Sequence, residues 1–218
     1  MKPQELLDIL AVAARLKTNT RHCFTAPGRK ESIADHSWRI ALMAILLSGE
    51  EEFAGYDMDR VTRMCLIHDL GEAFTGDIPS FEKSGGQEAL EEAQLARWVD
   101  SFPPPQREQW QALLAEMNAQ ETQEARLYKA LDKLEAVISH DESDLATWLP
   151  LEFDLQLTYG REQVAFSPYL RGLKAAVDDF TRREIDAFRQ KTEYPVKKPP
   201  LRAVTQGRLS LSKNPRFC

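Results

Sequence analysis

Residues 64–79 read Met64-Cys65-Leu66-Ile67-His68-Asp69-Leu70-Gly71-Glu72-Ala73-Phe74-Thr75-Gly76-Asp77-Ile78-Pro79. The first seven are apolar on every side of a helix except at His68 and Asp69, and a helix apolar all round is a buried one. An ionised aspartate buried without a partner costs several kcal/mol or takes up a proton. A divalent cation removes that penalty, because imidazole nitrogen and carboxylate oxygen are both good ligands. The structural alternative is a His68–Asp69 hydrogen bond, but adjacent helical side chains diverge by about 100° and face each other poorly. Val61, Cys65, His68 and Glu72 continue one stripe, so the spacing predicts a single helix from near Asp57 to Phe74, broken at Gly76. Glu72 beside a metal-bound water suits general acid or base work, as does Asp77 after the break. Their plainer readings are a helix-end glutamate and a turn aspartate.

Working outward, Ser32 followed by Asp35 resembles a capping box and opens a helix to about Gly49. His36, Ile40, Met43 and Leu47 share its inward stripe, which makes His36 either a hydrogen-bonded core histidine or a ligand. A helix over about 121–140 carries Leu127, Leu131, Leu134 and Ile138, with Asp132 at the stripe's edge beside Tyr128. Asp132 either pairs with Lys133 or adds a fourth donor to the set. Two histidines and two carboxylates suit one divalent transition metal, Mn²⁺, Co²⁺, Fe²⁺, Ni²⁺ or Zn²⁺, with Mg²⁺ a further option and Ca²⁺ a poorer one. Leu6, Leu10, Ala13 and Leu16 set an N-terminal helix, and further helices are expected over about 87–100, 106–117 and 168–190. Residues 18–29 read as a loop and 150–159 as irregular or weakly β. No β-α alternation, repeat or Gly-rich phosphate loop occurs, so the expected class is all-α, a helical bundle of about six or more helices.

The composition agrees. The chain has 218 residues, 43% hydrophobic and 28% charged, which excludes wholesale disorder and a disulfide miniprotein. The longest apolar run, Ile40 to Leu47, is too short to cross a bilayer, and the N-terminus lacks the apolar core of a signal peptide. Cys23, Cys65 and Cys218 are odd in number, which suits a reducing cytoplasm. The net charge of −6 divides unevenly: residues 191–218 hold seven basic residues against Glu193 alone, leaving −12 for residues 1–190. The expected organisation is therefore a domain over 1–190 and an extended basic, Pro-containing tail over 191–218. No aromatic interleaving in that tail supports nucleic-acid stacking, and a solvated terminus is the favoured reading.

These residues carry a resemblance. His36, His68-Asp69 and Asp132 resemble the H…HD…D signature of the HD superfamily of metal-dependent phosphohydrolases. Glu31-Ser32-Ile33-Ala34-Asp35-His36-Ser37 is similar to that family's E-S-V-A-E-H-S. His68 to Pro79 resembles H-D-x-x-E-x-x-x-G-D-x-P of its 5′-deoxynucleotidase branch, and Leu131-Asp132-Lys133-Leu134-Glu135 resembles the last ligand segment. The resemblance spans about residues 5–190. It implies an HD-domain helical bundle with a mononuclear site held by His36, His68, Asp69 and Asp132, and hydrolysis of deoxyribonucleoside 5′-monophosphates. Glu72 and Asp77 match the catalytic carboxylates that handle the attacking water and the leaving 5′-oxygen, in an order the sequence leaves open. Arg21 matches the arginine of an R-T-G-W segment near the nucleotide. This chain reads Arg21-His22-Cys23-Phe24 there, so base and sugar selectivity is not carried over.

His22 is a substrate-side donor or a loop residue, and His140 is expected to serve as a cation at a helix C-terminus. With only these two histidines left over, one metal is expected rather than two. The implied partners are a small-molecule nucleotide and, by family analogy, a second copy of the chain in a homodimer, with no membrane and no nucleic acid. The competing readings are another HD phosphohydrolase acting on a phosphodiester, a dNTP or a signalling nucleotide, and a non-catalytic metal- or nucleotide-binding regulator. Retention of both Glu72 and Asp77 argues against the regulator.

Overall fold

The computed structural model of the protein describes residues 1–79 and 81–192. The basic segment from Glu193 onward lies outside the described residues. Of the expected tail, Lys191 and Thr192 belong to the final helix.

The elements run α1 (Pro3–Ala13), a 3₁₀ turn over Ala14–Lys17, β1 (Thr20–Ala26), β2 (Arg29–Ser32), α2 (Ile33–Leu47), α3 (Met58–Ile67), α4 (Glu72–Thr75), α5 (Gly85–Asp100), α6 (Gln106–Ala119), α7 (Gln123–Asp141), α8 (Glu152–Leu155) and α9 (Pro168–Thr192). The architecture is the expected helical bundle. α2 and α3 pack on each other and both pack on α7. Ile33, Ile40, Ala44, Val61, Met64, Cys65, Leu127, Leu131 and Leu134 between them are fully buried. Truncating one of these leucines to alanine costs about 2–5 kcal/mol, the transfer loss plus the cavity left behind.

α2 begins where Ser32 and Asp35 predict. Ser32 Oγ accepts from Asp35 N at 3.1 Å and Asp35 Oδ2 accepts from Ser32 N at 3.0 Å. The segment read as a loop is instead an antiparallel hairpin, β1 with β2. Pro27-Gly28 makes its turn, Gly28 taking φ +76°, a conformation that costs glycine no Cβ clash. Just beyond the end of α7, Ser143 Oγ holds the hairpin by accepting from Phe24 N at 2.9 Å and donating to Phe24 O at 3.1 Å.

The expected helix from Asp57 to Phe74 is two helices. α3 stops at Ile67, and the following turn tightens to i→i+3 bonds: Leu70 N to Ile67 O at 3.1 Å, Glu72 N to Asp69 O at 3.0 Å and Ala73 N to Leu70 O at 3.2 Å. His68 and Glu72 therefore belong to different elements rather than to one stripe. Gly71 fits because α5 passes close by. A Cβ there would meet Glu91 Cγ at 2.6 Å and Glu91 O at 3.2 Å.

Two smaller expectations are corrected. Residues 150–159 hold the short helix α8 rather than β structure. In α1 the inward residues are Ile9, Val12 and Ala13, while Leu6 and Leu10 are exposed. Trp38 is 62% exposed on the outer face of α2. Among the described residues no helix is long and apolar enough to cross a membrane.

Candidate active site

Three helices deliver four donor side chains to one place. His36 comes from the buried face of α2 and is 1% exposed. His68 sits at the C-terminus of α3, where its Nδ1 lies 2.9 Å from Cys65 O. That contact takes the proton of the neutral ring and leaves Nε2 as the free lone pair. Asp69 follows in the tightened turn, and Asp132 comes from α7. His36 Nε2 is 3.4 Å from Asp132 Oδ1 and 3.7 Å from Asp69 Oδ2. His68 Nε2 is 3.0 Å from Asp69 Oδ2 and 3.8 Å from Asp132 Oδ1.

Ligands about 2.1 Å from a tetrahedral ion lie about 3.4 Å from one another, so these separations suit a shared cation. His68 Nε2 is buried and has no hydrogen-bond partner among the described residues, despite the nearness of Asp69. An orphaned imidazole nitrogen facing two carboxylates is the donor set a divalent transition metal takes. Both carboxyls are held ionised. Burial opposes the Asp69 charge, but His68 and His36 outweigh it and bring Asp69 below the usual carboxylate range. For Asp132, burial is outweighed by Lys133, Lys129 and the His36 hydrogen bond.

All eight residues nominated from the sequence line one cavity of about 430 Å³: Arg21, His22, His36, His68, Asp69, Glu72, Asp77 and Asp132. That is within the range of small-molecule sites. Glu72 is 5% exposed, and its buried Oε2 has no hydrogen-bond partner among the described residues. Burial first, then the charges of Asp69, Asp77 and Glu91, push it up to about 10. Burial and Asp69 also raise Asp77. Arg21 projects from β1, and its bonds to Glu31 (2.7 Å) and Glu135 (3.3 Å) both use Nη1. Cys23 lines the cavity too, but burial and Glu31 push its thiol up to about 12, unsuited to a nucleophile. Phe24 faces elsewhere, into a groove beside the end of α7.

Sequence reasoning missed the layer behind these groups. Tyr128, Asp132, Glu135 and Ser139 recur at i, i+4, i+7 and i+11 and form a second, polar stripe of α7, all buried. Glu135 accepts from His36 Nδ1, and its other oxygen accepts from Arg39 Nε at 2.7 Å. Glu31, His36 and Glu135 also lie close enough to bind an ion. Their oxygens are already taken by Arg21, Arg39, Cys23 and Ser139, so this is a hydrogen-bond network. Arg39 and Arg29 are committed to Glu135 and Glu142 and to Asp35 and do not extend a positive charge into the cavity.

His140 lies in the last turn of α7 but is not the helix-end cation expected of it. It is buried against Trp148, and burial, despite Glu152, lowers its pKa. Glu152, which no sequence signal singled out, stands between His140 and His22.

Comparison with known proteins bears on this site. Residues 13–173 match a family model described as an HD domain. The human protein named 5′-deoxynucleotidase HDDC2 is 28% identical over 143 residues, which cover 64% of this chain and 68% of the human one. The Dictyostelium discoideum protein of the same name is 29% identical over 140 residues, 61% of this chain and 74% of its own. Among solved structures, one described as a predicted metal-dependent phosphohydrolase from Magnetospirillum magnetotacticum MS-1 superposes with a TM-score of 0.69 at 32% identity. It covers 83% of this chain and 93% of that one. A conserved hypothetical protein from Pyrococcus furiosus gives a TM-score of 0.58 at 30% identity, over 81% of this chain and 99% of its own.

Proposed function

Because the chain belongs to the HD domain family, we propose that it is a metal-dependent phosphohydrolase whose substrates are deoxyribonucleoside 5′-monophosphates, cleaved to deoxynucleoside and phosphate. The observation that carries this reading is the convergence of the His36, His68, Asp69 and Asp132 donor atoms on a cavity whose wall also presents Glu72 and Asp77. The likeness to proteins named 5′-deoxynucleotidase supports the substrate class.

His36, His68, Asp69 and Asp132 hold one divalent transition metal, of the series Mn²⁺, Co²⁺, Fe²⁺, Ni²⁺ and Zn²⁺. When bound, that ion supplies positive charge to the phosphate oxygens and lowers the pKa of a water. Arg21 adds a fixed cation for the phosphate, and His22 lines the substrate side. Glu72 and Asp77 exchange protons with the attacking water and the leaving 5′-oxygen. The raised pKa of Glu72 keeps one proton on this pair near neutral pH, so one carboxyl can donate while the other accepts.

The protein works as a homodimer. The exposed apolar residues Leu6, Leu7 and Leu10 of α1 and Trp38, Ile45 and Leu46 of α2 are the surface that supports this. The buried, unpaired Cys23 and Cys65 support a cytoplasmic setting.

The test is phosphate release from a panel of nucleotides crossed with Mn²⁺, Co²⁺, Mg²⁺ and Zn²⁺. Release from deoxyribonucleoside 5′-monophosphates is expected. Turnover confined to phosphodiesters or triphosphates, or none at all, overturns the reading.

A further inference from the structure

The two histidines that the metal-ligand signature leaves over meet on one wall of the cavity. His22 from β1 and His140 from α7 flank the carboxylate of Glu152, which opens α8. His22 Nε2 is 3.3 Å from Glu152 Oε1, and His140 Nε2 is 3.3 Å from Glu152 Oε2. Each imidazole faces its own oxygen, so the carboxylate stands between the rings and fixes where they sit. Glu152 is itself held: it is 1% exposed, and its Oε2 accepts from Leu149 N at 2.6 Å. Trp148 backs the His140 ring at 4.7 Å. Both Nε2 atoms are buried and neither completes a hydrogen bond among the described residues, so the polar capacity of this wall is not satisfied within the chain.

The helix α7 sets how far this wall lies from the four converging donors. Asp132, Ala136 and His140 all line the cavity, at i, i+4 and i+8 of α7. Eight residues of helix rise about 12 Å, comparable with the span of a nucleoside 5′-monophosphate from phosphorus to base. Ala136, the small residue between them, leaves room above the helix. β1 repeats the order: Arg21 bonds Glu135 near the donors, and His22, one residue on, faces Glu152. The opposite end of the cavity, toward α5, presents the carboxyl groups of Glu88, Glu91 and Glu92. The α8 end presents flat rings instead: His22, His140, Tyr159 and Phe81, the last edge-on to His22 at 6.2 Å. Ring faces are the surfaces on which a nucleobase stacks.

We propose, on the reading of the site as a deoxyribonucleoside 5′-monophosphate hydrolase, that this wall is the nucleobase end of the cavity. His22 and His140 contact the base, and Glu152 is the residue that positions both rings. With the phosphate at the four donors and Arg21, the sugar lies over Ala136 and the base reaches His140. An imidazole offers its face for stacking and a ring nitrogen for the polar edge of the base. The His22 side chain, 31% exposed against 9% for His140 and 1% for Glu152, is the more open of the two contacts.

The experiment compares dAMP and dTMP with deoxyribose 5-phosphate, which carries the phosphate and sugar but no base, as substrates of the full chain. The native protein is expected to show a higher kcat/KM for both nucleotides than for the base-free sugar phosphate. In His140→Leu and Glu152→Gln that preference should shrink about tenfold or more, the loss falling on KM rather than on kcat. A purely structural role would instead lower all three substrates in parallel. Parallel loss, a preference equal to the native one, or no native preference for the base each overturns the assignment of the wall. If the native chain turns over none of the three, the hydrolase reading fails, and the wall is read by calorimetric titration with deoxyadenosine. The nucleoside should then bind the native chain and bind Glu152→Gln about tenfold more weakly, and absent or equal binding overturns the assignment. Should His140→Leu misfold, Glu152→Gln, which keeps the size of the side chain, decides the matter.

Discussion

Glu135 accepts a hydrogen bond from His36 Nδ1 and thereby turns His36 Nε2 toward Asp69 and Asp132. Burial opposes the Glu135 charge, but the His36 hydrogen bond, His36 itself and the cations Arg21 and Arg39 outweigh it and hold the carboxyl below its ordinary range. An ionised carboxylate has no proton to give, so the Nδ1 hydrogen belongs to His36. Burial and Arg21 oppose a charge on His36, but Asp132 and Glu135 outweigh them and raise the ring to about 9, so Nε2 is the nitrogen that would give up its proton to a metal. Carboxylates that orient a ligating imidazole typically account for 10–100-fold of metal affinity. Glu135→Gln is therefore expected to weaken metal binding by that factor while the chain stays folded, as measured by chelator competition. Affinity equal to the native protein would show that His36 needs no such orientation.

Glu72 is the carboxyl least able to ionise, since burial and three neighbouring carboxylates all oppose its charge. It is not one of the four converging donors. Glu72→Gln keeps the size of the side chain and removes its acid chemistry. Metal content is expected to stay at the native level while kcat falls about 10²–10⁴-fold, the usual contribution of a positioned proton-transfer group. Native turnover in this variant would remove Glu72 from the reaction.

Gly71 separates the His68–Asp69 pair from Glu72 and lets α5 approach. An added Cβ would lie 2.6 Å from Glu91 Cγ, which can swing aside, and 3.2 Å from the Glu91 carbonyl oxygen, which cannot. Gly71→Ala is expected to cost about 1–3 kcal/mol, the range for overpacking a tight contact. Urea unfolding monitored by tryptophan fluorescence measures it. A stability within 0.5 kcal/mol of native would mean that α5 shifts freely.

How much of this was legible in the sequence depended on whether the signal was local. The α2 start could be read because Ser32 and Asp35 make each other's hydrogen bonds within four residues. His36 and Asp132 could be read because a 3.6-residue period places them against Ile40 and Leu131. The hairpin was missed because β1 carries Thr20, His22 and Thr25 without clean alternation, and only Pro27-Gly28 announced a turn. The break after Ile67 was missed because residues 68–74 keep helical composition, and the tightening at Gly71 answers to α5, far away in sequence. Glu135 sat in plain view three residues after Asp132, but its worth depends on Arg21 and Arg39 arriving from other elements. Glu152 carried no periodic signal at all, and its place beside the cavity depends on His22 and His140 arriving from β1 and α7.

Asp141, at the end of α7, tests the electrostatics of the fold away from the site. It is 5% exposed, its Oδ2 accepts from Thr181 Oγ1 at 2.6 Å, and its buried Oδ1 has no hydrogen-bond partner among the described residues. Burial, helped by Asp178 and Glu184 and opposed by the Thr181 hydrogen bond and Lys174, pushes it up from 3.8 to about 6. A carboxyl raised in the folded state favours folding when protonated. Its contribution is fully present below the unfolded value near 3.8 and is lost as pH rises through about 6. Above pH 7 the ionised form then costs the fold about 2–3 kcal/mol. Asp141→Asn keeps an oxygen for Thr181 and cannot ionise. It is expected to unfold at a higher temperature than the native chain at pH 8 and at the same temperature at pH 4. Calorimetry at both pH values decides it, and an equal difference at the two would show that the Asp141 charge is not what the fold feels.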